Sequence, residues 1–267
     1  GGGQQCVANK GLNRFIWDMR WRPAGPQAPP AGGGGGGGGG GFGGGNQGFR
    51  VDPGDYTVKI KHGSTEISKT FKVIDDPRIV FSAEDRAKKK AALIKFQPVV
   101  TQAQTAQSQI VSLRTNLNNA IEAWKRPGAP RVPENIRKAA EDLLIKVDTA
   151  YVNWGTPPSL VSNISQAGPP VVELPTPLNQ RAGQVLGAIE SASTAPTEWE
   201  LAQVEILSGK IPPAAEEVKN LINVDLTKLN NMMLEAKIPY IQPPSATPGG
   251  GTGRPPGDPD DEHEEKK

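Results

Sequence analysis

The chain has 267 residues, with 30 Lys and Arg against 28 Asp and Glu, a formal net charge of +2. That balance lacks the basic footprint of a nucleic-acid binder, and no apolar run of about 18 residues is present to span a membrane as a helix. One cysteine, Cys6, and two histidines, His62 and His263, exclude an internal disulfide framework and a Cys- or His-rich metal site.

The chain begins Gly1-Gly2-Gly3, without an initiator Met or a charged-then-apolar leader. Residues 13–21 then place Phe15, Trp17, Met19 and Trp21 at alternate positions, the period of a strand with one apolar face. Residues 22–50 turn Pro- and Gly-rich, with ten consecutive glycines from Gly32 to Gly41. No Lys-Ser/Thr follows them, so a phosphate-cradling loop is not indicated, and a flexible insertion between strands is expected.

Asp52-Pro53-Gly54-Asp55 reads as a turn, with Gly54 at a position needing positive φ. Tyr56, Val58 and Ile60 alternate after it. His62-Gly63-Ser64 is the next turn, and Ile67, Phe71 and Val73 keep the same face on the return strand. A β-hairpin is expected, closed by Asp75-Asp76-Pro77 because Pro cannot donate to a ladder. Three strands leave an apolar face uncovered. The chain is therefore expected to be a fragment whose missing strands lie upstream, unless a helix covers the face.

Gly11-Leu12-Asn13-Arg14-Phe15-Ile16-Trp17-Asp18 and Pro53-Gly54-Asp55-Tyr56-Thr57-Val58 together resemble the immunoglobulin-like module of flagellar hook-capping proteins. With Asp76-Pro77-Arg78 and a helical region after it, residues 11–238 resemble the C-terminal part of bacterial sortilin-like β-propeller proteins. Those are often labelled glycosyl hydrolases or BNR-repeat proteins. The resemblance implies an exported bacterial protein whose propeller lies outside this chain.

Ser82 and Asp85 form a variant capping box. Phe96, Val100, Ala103, Ala106, Ile110, Leu113, Leu117, Ala120 and Trp124 follow at spacings of three and four, predicting one long helix over 83–125. Pro98 should kink it, and Arg126-Pro127-Gly128 should stop it. A second helix starts near Pro133 and carries Ile136, Ala140, Leu143, Val147, Ala150 and Trp154. Residues 156–176 read as an irregular crossover. A third helix carries Leu178, Ala182, Val185, Ile189 and Ala192. Thr197 and Glu200 cap a fourth, whose stripe is read as Trp199, Ala202, Ile206, Val218, Ile222, Leu226, Leu229 and Met233. Gly209 and Pro212-Pro213 should break or kink that helix, and Pro239 should end it. From Gln242 the chain is Pro/Gly-rich and then acidic, the composition of a disordered tail. The expected architecture is α+β: a partial immunoglobulin-like β module over 1–80 with its insertion at 22–50, an antiparallel four-helix bundle over 81–241, and a tail over 242–267.

Chemistry-bearing clusters are few. Asp258, Asp260, Asp261 and Glu262 lack the spacing of a calcium loop. Glu141-Asp142, Glu198 with Glu200, and Glu216-Glu217 fit solvated helix surface rather than a paired-carboxylate site. No catalytic residue, cofactor or metal is assigned. Two features remain: Trp17 and Trp21, which could stack a sugar, and Arg86, Lys88, Lys89 and Lys90 (with Lys95), which could attract an anion. Trp124, Trp154 and Trp199 read as core anchors. The functional expectation is a non-catalytic scaffold that docks on the propeller or on a protein partner. An accessory part of a glycosidase-like hydrolase and a carbohydrate-binding module are the alternatives.

Overall fold

The computed structural model describes residues 11, 14, 17, 19–21, 49–128, 131–155 and 175–245. The polyglycine stretch, Phe15, Cys6, most of the crossover, and the acidic tail with His263 lie outside the described residues. The fold is mixed α+β. Among the described residues, four antiparallel strands make two two-stranded sheets, β1 (Arg20–Trp21) with β2 (Phe49–Arg50) and β3 (Gly54–His62) with β4 (Thr65–Val73). Among the described residues the helices are α1 (Ala83–Lys125), α2 (Glu134–Tyr151), α3 (Leu178–Ser191) and α4 (Glu198–Asn220). A π-helical turn (Leu221–Leu226) continues α4 into α5 (Thr227–Glu235). Among the described residues, no helix is long and apolar enough to cross a membrane.

The chain divides into two compact units. The first takes Gly1–Ala103 and Pro170–Ala214, and so holds the strands, the start of α1, α3 and most of α4. Its core contains Phe96, Val100, Ala182, Ile189, Leu207 and Ile211, all essentially inaccessible to water. The second takes Gln104–Pro169 and Ala215–Lys267. There the rest of α1 supplies Ile110, Leu113 and Leu117, α2 supplies Ile136, Val147 and Ala150, and the last helical rod supplies Val218, Leu226 and Met233. Trp154, 2% exposed, joins this core as its pattern predicts, and Trp124 is half-buried.

The caps form as the sequence requires. Asp85 N–H donates to Ser82 Oγ at 3.0 Å, and Ser82 Oγ donates to Asp85 Oδ2 at 2.7 Å. At α4, Thr197 N–H donates to Glu200 Oε2 at 2.7 Å and Glu200 N–H to Thr197 Oγ1 at 3.2 Å, a reciprocal box that satisfies two orphan donors. Helix α1 ends at Lys125, with Gly128 at φ 83° in the stop behind it.

Some expectations are corrected. Gly54 has no positive φ; it is the first residue of β3, paired with Val73, because pairing starts as soon as Pro53, which has no N–H, is passed. Helix α4 is not broken at Gly209, Pro212 or Pro213 but runs on to Asn220. Its buried stripe of Val204, Leu207, Ile211, Ala215 and Val218 carries it past two missing backbone donors. Trp199 is 64% exposed and Ile206 is exposed with it, so neither belongs to the core. Helix α4 holds two apolar stripes about 100° apart, and the longer one, continuing through Val218, takes the interior.

The π turn is the element that spacing alone did not mark. Leu221 and Leu226 are both buried although five residues apart, a step that i→i+5 hydrogen bonding brings onto one face. Leu221, not Ile222, therefore enters the core, and Ile222 is half-buried. Helix α5 ends at Glu235 in a Schellman motif. Ile238 N–H bonds Met233 O at 2.8 Å, Lys237 N–H bonds Leu234 O at 3.0 Å, and Lys237 sits at φ 55°. Just beyond, Asn230 clamps Ile241 at both backbone groups, 2.9 and 2.8 Å.

Candidate functional site

The β3–β4 hairpin pairs nine residues with nine, Gly54↔Val73 to His62↔Thr65. Gly63, at φ 58°, opens the two-residue loop, where a primed hairpin turn calls for glycine. Alternation puts Asp55, Thr57, Lys59, Lys61, Glu66, Ser68, Thr70 and Lys72 on one face, all polar. The other face carries Tyr56, Val58, Ile60, Ile67, Phe71 and Val73, with Lys69, His62 and Thr65 among them.

Trp17 reaches that apolar face only at its base. Its ring meets Tyr56 at 5.5 Å and 51°, and Phe71 at 5.8 Å and 74°, while Tyr56 and Phe71 stack at 6.2 Å. Tyr56 Oη also donates to Asp52 O at 2.6 Å. Trp17 is thus a half-buried member of a tilted aromatic cluster. Trp21 lies in β1 opposite Phe49; its side chain lies outside the described residues. Beyond the cluster the face is bare: Ile60 is 62% exposed, Ile67, directly opposite, is 64% exposed, and Val58 is exposed beside them.

The first unit also holds a cleft of about 590 Å³ between β2, the segment after β4, the start of α1 and the end of α3. Phe49, Val51, Tyr56, Val73, Ile79, Phe81 and Leu93 give it apolar walls. Three of the four cations read from the sequence as an anion patch line it. Arg86 bonds Asp75 Oδ2 at 2.5 Å and Phe81 O at 2.9 Å, and lies over the Phe81 ring. Lys90 pairs with Asp52 at 2.7 Å. Lys89 donates to the carbonyls of Glu190 at 2.8 Å and Ala192 at 2.5 Å, the end of α3, where a cation suits the helix dipole. Burial pushes the Lys89 ammonium below the usual lysine range; Arg50 and Arg86 push the same way, against the carboxylates of Glu190 and Asp52. Lys88 points away and pairs with Glu84 at 2.8 Å, which holds its pKa above the usual value. Lys95 pairs with Glu205.

The carboxylates singled out as pairs stay on helix surfaces: Glu200 caps α4 and Glu216 pairs with Lys219 at 3.1 Å. Among the described residues no cluster of three His, Cys, Asp or Glu could hold a metal ion. Sequence reasoning missed Arg50, a cleft residue next to the Gly-rich segment, which no motif marks. No family model, curated protein or solved structure matches this chain.

Proposed function

We propose that this chain is a non-catalytic interaction region that docks a protein partner through the β3–β4 hairpin. One observation carries the reading: Val58, Ile60 and Ile67 form an apolar surface in water, on a hairpin whose opposite face is wholly polar. Burying such side chains is worth about 1.5–3 kcal/mol each, and an exposed apolar patch rimmed by polar residues is the mark of an interaction site. The resemblance carried by the Gly11–Asp18 and Pro53–Val58 segments together with Asp76-Pro77-Arg78 and the helical region supports a partner class, a sortilin-like β-propeller of an exported bacterial protein. On this reading the hairpin belongs to an immunoglobulin-like module, and the helices form an antiparallel four-helix bundle that carries it.

Light scattering of the chain mixed with the propeller of the same protein tests this. The native chain should form a 1:1 complex, and Ile60→Lys with Ile67→Lys should abolish it without moving the thermal transition, since both side chains are exposed. Equal complex formation by both forms, or none by the native chain, overturns the reading.

A further inference from the structure

We propose that the cleft of the first unit binds a small amphipathic anion, an alkyl carboxylate, with its head group at Arg50 and Lys89 and its chain along Phe49, Tyr56 and Phe81. The volume, about 590 Å³, falls in the range of small-molecule sites, roughly 300–1,000 Å³.

Four acids line the cleft, and each is already engaged by a base. Asp52 takes Lys90, Asp75 takes Arg86, Asp76 takes Arg78, and Glu190 takes Arg20. Two lining cations are left without a carboxylate. Lys89 Nζ rests on two neutral backbone carbonyls, and Arg50 has no ion pair among the described residues. These two act on each other, since Arg50 disfavours the charge on Lys89. A part-buried cation beside a second cation is a costly arrangement, and a carboxylate set between them relieves both. The remaining lining is largely apolar, so an anion that also carries hydrocarbon suits it better than free phosphate. Arg50 is exposed at the edge of the cleft, where an incoming head group meets it first.

Isothermal titration with octanoate, octan-1-ol and octylammonium tests the proposal. Octanoate should bind at one per chain, and octylammonium should not bind. Arg50→Gln should weaken octanoate about ten-fold, the scale of one charge-assisted hydrogen bond, and leave octan-1-ol unchanged. The exposed Arg137, on α2, provides the control: Arg137→Gln should leave octanoate binding as it was. Because Lys89 also holds the end of α3, Arg50 is the variant that separates binding from folding; a circular dichroism melt identical to the native chain confirms it. The proposal is overturned if octanoate does not saturate, if Arg50→Gln binds it as tightly as the native chain, or if Arg137→Gln weakens it equally.

Discussion

Lys237 holds a left-handed conformation that costs a side-chain-bearing residue about 1 kcal/mol. The Schellman bonds from Lys237 and Ile238 to the carbonyls of Leu234 and Met233 keep it there. Lys237→Gly should therefore raise stability by about 1 kcal/mol, read as a higher midpoint in urea. Lys89 makes the opposite kind of compromise. Its folded-state pKa lies below the unfolded value of 10.5, so holding its proton weakens the folded state. That penalty is fully present below the folded pKa and disappears as pH rises towards the unfolded value. The Lys89 contribution to stability thus increases with pH across that window. An NMR titration of the lysine side-chain resonances should find Lys89 losing its proton before the exposed lysines.

At the scale of elements, the π turn carries the clearest prediction. Buried positions along the last rod run 204, 207, 211, 215, 218, 221, then jump five to 226, and resume at 229 and 233. Deleting the exposed Asn223 would restore steps of three and four throughout. The deletion should leave a folded chain with undiminished helical circular dichroism and replace the π turn by α-helix, visible as i→i+4 amide contacts by NMR. The ion pair at this turn, Lys146 with Asp225 at 2.6 Å, joins an exposed lysine to a half-buried aspartate and is worth little. Much of this level was legible in the sequence. The Ser82 and Thr197 caps, the hairpin and its face, and the stripes of α1, α2 and α3 rest on contacts between near neighbours. What was not legible depends on competition or distance. Helix α4 offers two apolar stripes, and only packing selects Val204–Leu207–Ile211 over Trp199–Ala202–Ile206. The cleft joins Lys89 to Glu190 and Ala192, about a hundred positions apart, so no local pattern announces it.

At the scale of the whole molecule, α1 and α4 each contribute residues to both units. Leu113, fully buried in the second unit, is a direct probe of that core. Leu113→Ala should cost about 2–5 kcal/mol, seen as faster hydrogen exchange in α2 and α5.

The hairpin has one more consequence. Among the described residues, β3 and β4 pair only with each other, which leaves two nine-residue strands with unpaired outer edges. Bare edges of that length template cross-β growth between copies. Lys59, Lys61, Lys69 and Lys72 are spread along both edges, and their mutual repulsion acts as a gatekeeper against it. Acetylating these lysines would lift that guard and expose the hairpin edges to fibril growth.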